Sequence, residues 1–271
     1  MTVRNAVWRL GAIAKRDLLI ELSYRFRLIL LFTTTFASAF LAYFVSQLVG
    51  DSEQLAAFDG SYFEYVVIGL ALTSYATLAV TAFNQRIMRE QQAGTFEVLL
   101  ASPASLGTLL AGGFVIPLAL TTLEVVALVG LGVGLIGVGL TTSGLIVSVP
   151  ILLLTIVNFC ALGIGAASLV VLAKRGDPIS GPLAQATLLL SGAIFPIELF
   201  PGWLQVICRL TPGYYGVRGM REALLTDGGF TGVVDEILIL TGFAVVLVPI
   251  SLAAFARAIR TAKRLGILAS Y

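Results

Sequence analysis

The 271-residue chain contains no histidine. That absence excludes histidine-dependent zinc chemistry, serine–histidine catalysis and histidine pH switching. Cysteine occurs twice, as Cys160 in an apolar run and Cys208 in a more polar stretch, which gives neither a disulfide framework nor a thiolate metal site. No Gly-x-x-x-x-Gly-Lys-Ser/Thr loop is present, so the chain lacks the usual means of holding ATP. Charged residues make up 12%, and a formal charge of +2 is too small to imply a nucleic-acid partner. No cleavable signal peptide is expected, because the first long apolar run begins near Leu28, behind several charges.

Apolar residues take up the difference. They form 58% of the chain, against about 45–50% in a soluble domain. The expected fold is therefore an all-α integral membrane protein, because a bilayer leaves an exposed backbone no other way to satisfy its amides. Each span needs about 20 residues, and six apolar segments present themselves. They run roughly over 28–49, 62–83, 109–136, 145–173, 182–195 and 233–256. The fifth is the shortest and stops at Phe195-Pro196. Residues 1–27 mix Val7, Trp8, Leu10, Ile13, Leu18 and Leu22 with Arg4, Arg9, Lys15, Arg16 and Glu21, the pattern of a helix lying in the membrane interface. The domain plan is thus an interfacial helix over 1–27, a six-helix membrane domain over 28–256 and a basic tail over 257–271.

Orientation follows from alternate loops. Of the 17 Lys and Arg residues, 14 fall on the side that holds both termini, and only Arg209, Arg218 and Arg221 fall on the other. The positive-inside rule makes the first side cytoplasmic. Acidic residues cluster opposite, at Asp51, Glu53, Asp59, Glu198, Glu222, Asp227, Asp235 and Glu236.

The first cytoplasmic loop, 84–108, contains a charged, helix-prone stretch from Arg86 to Ser105. Within it, Thr95 or Ser102 suits a helix N-cap and Pro103 a first helical turn. Val98, Leu99 and Leu100 supply an apolar face for a partner. On the outer side, Ser191–Arg221 carries Pro196, Pro201 and Pro212, each a helix breaker, so this stretch is not one straight span. Trp203, Tyr214 and Tyr215 suit an interfacial belt. Arg209, Arg218 and Arg221 are expected to pair with Glu198 and Glu222.

Glu90-x-x-x-Gly94-Thr95-Phe96-Glu97-x-Leu99-Leu100-x-Ser102-Pro103 resembles the cytoplasmic loop of type-2 ABC exporter permeases, with Gly94-Thr95 at its turn. The outer stretch around Pro196, Glu198, Pro201, Trp203 and Arg209 is similar to the re-entrant hairpin that precedes the sixth helix in that family, here over 196–232. The resemblance covers nearly the whole chain, in family order. It implies that Glu90, Gly94, Thr95, Phe96, Glu97, Leu100, Ser102 and Pro103 form a coupling helix for an ABC ATPase. It implies two such ATPase subunits, which bind ATP and magnesium in place of this chain, and a second permease copy as homodimer or heterodimer partner. It also implies a multi-pass protein of a bacterial or archaeal plasma membrane, with no enzymatic activity of its own. The substrate class it suggests is hydrophobic or amphiphilic: a drug, a lipid or a lipid-linked glycan.

Glu124, midway along the third span, is the conspicuous intramembrane charge, and such a residue is a functional candidate by default. It lines the route and meets a cationic or hydroxyl-bearing substrate, or it is protonated or bonded to a neighbour such as Asn158 or Thr121 for packing, or it lies nearer an interface. Asn158 has interhelical hydrogen bonding as its ordinary role. Phe36, Phe40 and Tyr43 on the first span either line a route or face lipid. Gly130-x-x-x-Gly134 permits close helix approach. The competing functional classes are a secondary transporter or channel, and a membrane scaffold or immunity protein, each acting without an ATPase. Coupled carriers ordinarily carry more intramembrane charge and two-fold repeats, and neither is evident.

Overall fold

The computed structural model describes residue 19 and residues 25–49, 62–92, 94, 106–136, 142–172, 179–226 and 229–264. Among these residues there are helices and turns and no strand. Five long helices are α1 (Arg25–Val49), α2 (Tyr62–Gln92), α3 (Leu106–Leu131, extended by a π turn at Gly132–Ile136), α4 (Thr142–Leu172) and α8 (Val234–Arg264). Three shorter ones lie between α4 and α8: α5 (Ser180–Leu190), α6 (Gly202–Arg209) and α7 (Pro212–Leu225).

Among the described residues, four helices are long and apolar enough to cross a membrane: α2, the Phe114–Gly134 part of α3, α4 and α8. With 25 residues, α1 also has the length of a span. The expected fifth span does not form as one piece. It is helical only over α5, whose 11 residues rise about 16 Å, half the ~30 Å of hydrocarbon. The chain leaves the helix at Gly192, which takes a left-handed φ of 69° that favours glycine. The interfacial helix expected over 1–27 lies outside the described residues, apart from Leu19, which is helical, and the start of α1.

The prolines act as start signals. Pro196 precedes a 3-10 turn at Ile197–Leu199, Pro201 precedes α6, and Pro212 opens α7. Charges sit where the helix dipole favours them, with Asp235 and Glu236 at the start of α8 and Lys263 and Arg264 at its end.

The central member is α4, which packs against α2, α7 and α8. One core joins Ile68 and Leu72 of α2, Ile151 of α4, Val217 and Met220 of α7 and Leu240 of α8. A second joins Phe83 and Ile87 of α2, Val170 and Val171 of α4, and Phe255 and Ile259 of α8. Helix α1 and the outer half of α3 rest on α2 through Ala39, Ala42, Phe63, Val66 and Leu128. Glycine permits the closest approaches. A Cβ on Gly163 would lie 2.2 Å from the Ala79 carbonyl oxygen, and one on Gly69 would lie 2.1 Å from that of Ala193.

Candidate functional site

The cytoplasmic segment is reached through α2. This helix has 31 residues, about 46 Å, which exceeds the hydrocarbon thickness by several turns. Residues 84–92, expected in the loop, continue α2 instead, and residues 106–108 already belong to α3. An Arg86–Glu90 ion pair at 3.1 Å braces the last turns along the helix face. Ile87 is buried against α8, and Gln91 is also buried. The helix stops at Gly94, whose φ is 65° and whose N–H donates to the Gln91 carbonyl at 3.1 Å. The turn expected at Gly94 is therefore present. Thr95, Phe96, Glu97, Leu100, Ser102 and Pro103 lie outside the described residues.

Glu124 finds a partner that the sequence did not suggest. The hydroxyl of Thr35 on α1 donates to its Oε1 at 2.5 Å. Asn158, proposed as a neighbour of Glu124, is fully buried elsewhere: its Nδ2 donates to the carbonyls of Leu154 at 2.9 Å and Leu240 at 3.0 Å, tying α4 to α8. Its Oδ1 is buried without a partner. Asn158 thus faces a helix contact and not a route within this chain. Thr121 is buried, and the adjacent Thr122 accepts from the Tyr75 hydroxyl at 3.2 Å. Phe40 is exposed, whereas Phe36 and Tyr43 are half-buried. Tyr43 meets Phe44 and Phe63 edge-on at 5.7 and 6.1 Å. A Cβ on Gly130 or Gly134 would meet nothing within 4 Å, so these glycines are not used for contact inside the described chain.

The outer arginines do not pair as expected. Arg218 bonds Glu236 of α8 at 3.2 Å, and Glu236 is only 3% exposed, with Oε2 unpartnered. Arg221 reaches backbone instead of a carboxylate. Its guanidinium donates to the carbonyls of Tyr65 at 2.9 and 3.2 Å, Gly192 at 3.1 Å and Ala193 at 2.8 Å. It also lies over the Tyr65 ring, whose hydroxyl bonds the Gly192 carbonyl at 3.0 Å. The cause is local: the break at Gly192 leaves helix-end carbonyls that need donors. Burial lowers the Arg221 pKa to about 10, opposed by Tyr65 and Glu198, and the side chain stays cationic at neutral pH. Arg221 therefore joins α2, the end of α5 and α7 at one point.

Helix α6 shows its apolar side outward. Trp203, Val206, Ile207 and Leu210 follow one face and are exposed, with Trp203 at 67% and Leu210 at 70%. Glu198 and Arg209 are exposed beside them, and Cys208 is fully buried on the opposite side. Sequence reasoning missed Thr35, Tyr65 and the burial of Glu236. The run Thr33-Thr34-Thr35 in the middle of an apolar span was the available signal for the first; nothing in the sequence marked the other two.

No curated protein matches the chain. The family model for ABC-2 type transporters matches residues 9–225, which takes in α1 through α7 and the Gly94 turn. The chain belongs to the ABC-2 type transporter family and is a membrane permease subunit of an ABC transporter.

Proposed function

We propose that the chain is the permease of an exporter that carries a hydrophobic or amphiphilic substrate outward across the plasma membrane of a bacterium or archaeon. Two copies, or one copy and a close relative, make a six-plus-six helix unit in which α5 and the turn after it form the half-length fifth member. Both termini face the cytoplasm. Two separate ATPase subunits supply ATP and magnesium and dock on Glu90–Ser105. Their closure moves the permease halves as rigid bodies, opening the route between them outward.

The observation that carries this reading is the course of α2 beyond the membrane. It leaves the apolar region as an unbroken helix, stays packed on α8 through Ile87 and ends in the Gly94 turn. The segment that resembles a coupling helix thus hangs from a stiff stem on the side rich in Lys and Arg. A flexible tether would absorb a push from a docked ATPase, whereas this stem would pass it on.

The test is a pull-down of the tagged permease from native membranes, with ATPase activity assayed on the eluate. The wild type is expected to bring down an ATPase, and the triple replacement of Gly94, Thr95 and Glu97 by alanine is expected to lose it while remaining monodisperse in detergent. Full ATPase recovery with the triple variant would overturn the docking assignment.

A further inference from the structure

We propose that Glu124 is a recognition site for a lipophilic cation, so that the amphiphile carried by this permease bears positive charge. The proposal rests on the permease reading above.

Glu124 is the only Asp, Glu, Lys or Arg in Leu106–Leu131, and it lies at the middle of the Phe114–Gly134 segment. A carboxylate at that depth is expensive, and one interhelical hydrogen bond does not offset it. Packing alone does not call for it. Two residues away and on the other side of α3, the uncharged pair Tyr75–Thr122 links α2 to α3 with two hydroxyls. A hydroxyl at position 124 would tie α3 to Thr35 of α1 in the same way. The charge therefore needs another explanation.

Two further observations point outward. Glu124 is half-buried rather than sunk in the core, while its donor Thr35 is buried. Among the described residues no Lys or Arg pairs with it: Arg86 is held by Glu90, Arg218 by Glu236 and Arg221 by backbone carbonyls. The hydroxyls on the α1 side have already committed their protons: Thr35 donates to Glu124, and Ser38, one turn along α1, donates to the Thr34 carbonyl. Ser38 is exposed, so the surface beside Glu124 presents acceptor lone pairs. Such a surface suits a cation surrounded by apolar groups and rejects an anion of the same shape.

Tetraphenylphosphonium and tetraphenylborate are near-isosteric ions of opposite sign, and their binding to the purified full chain in detergent, corrected for empty micelles, tests the idea. The wild type is expected to hold the phosphonium at least tenfold more tightly than the borate. Glu124→Gln should abolish that preference. Thr35→Val, which removes the donor and keeps the carboxylate, should retain it, as should Glu124→Asp if Glu124→Gln proves unstable. Equal binding of the two ions by the wild type, or an unchanged preference in Glu124→Gln, would overturn the proposal. So would a parallel loss of thermal stability in Glu124→Gln and Thr35→Val with no change in ion preference, the signature of a helix clasp. ATPase capture measured on the same preparations separates the two readings: capture without ion preference sinks only the cation site, and ion preference without capture sinks only the docking.

Discussion

Replacing Gly163 by alanine tests how tightly α2 and α4 are joined. A Cβ at that position would stand 2.2 Å from the Ala79 carbonyl oxygen, and real Cβ atoms essentially never come within 3.0 Å. The helices must therefore part by about 0.8 Å, the difference between those two distances. A gap of about 0.5–1 Å forfeits a quarter to a half of each dispersion contact, itself worth about 0.1–0.2 kcal/mol. The seam runs through Ala76, Ala79, Val80 and Phe159, and on to Phe83 and Ala167. With roughly 40 atom pairs across it, the loss is about 1–4 kcal/mol. Alanine returns about 0.8–1 kcal/mol in helix propensity, which at the middle of that range leaves a net destabilisation of about 1.5 kcal/mol. Gly130→Ala is the matched control, since a Cβ there meets nothing within 4 Å and only the propensity gain remains. The assay is the fraction of protein still monodisperse after heating in detergent. Gly163→Ala should lose several degrees of midpoint, and Gly130→Ala should equal or exceed the wild type. Equal heat resistance in the two variants would refute the close-approach argument.

Arg221→Met removes the donors for the carbonyls of Gly192 and Ala193 after α5 and of Tyr65 in α2, and should free α7 from α2. Cys208, fully buried in the wild type, should then react with a maleimide at least tenfold faster; an unchanged rate would show that the arginine does not hold this region together. Asn158→Leu exchanges two hydrogen bonds for the removal of a buried, unpartnered oxygen. Interhelical bonds in membranes average about 0.6 kcal/mol and a buried orphan acceptor costs about 1–3 kcal/mol, so the variant should be at least as heat-resistant as the wild type and still capture ATPase. A large loss of stability would contradict this. Arg218→Ala takes the partner from a buried carboxylate, and because the guanidinium itself is largely exposed to screening, the cost should be about 1–2 kcal/mol. Adding Glu236→Gln to it should recover most of the lost heat resistance, and failure of the double variant to recover would argue against the pair.

Features set by composition and loop charge were readable before any coordinates. The apolar runs located α1, α2, α3, α4 and α8 because a bilayer demands about 20 apolar residues per crossing. The prolines at 196, 201 and 212 were legible as breaks because a ring nitrogen has no proton to give; that each also opens the next helical turn shows only in the fold. The fifth segment failed because hydropathy is blind to the left-handed turn at Gly192. Arg218 and Arg221 were matched to the wrong partners for a related reason: sequence proximity suggested Glu198 and Glu222, but the break after α5 presents bare carbonyls, and the first turn of α8 folds Glu236 inward. Glu124 was legible as a functional candidate from its isolation among apolar residues. Its partner was not, because a threonine 89 positions away becomes a neighbour only through the packing of α1 on α3. In the coupling segment, the glycine at 94 was legible as a turn; the residues that follow rest on the motif alone.

Among the long helices described, α3, α4 and α8 each contain an interior proline, at 117, 150 and 249. Helices α1 and α2 contain none, and of these two α2 is the one that runs on to the Gly94 turn. A proline deletes a hydrogen bond and gives a helix a place to bend. Helix α2 thus behaves as a pushrod beside jointed levers: a displacement imposed at Gly94 would arrive some 40 Å away at Tyr65 with little taken up in between. There Arg221 would pass it directly to α7 and to the end of α5, so the outer face would answer the inner one without any movement having to travel through the jointed helices.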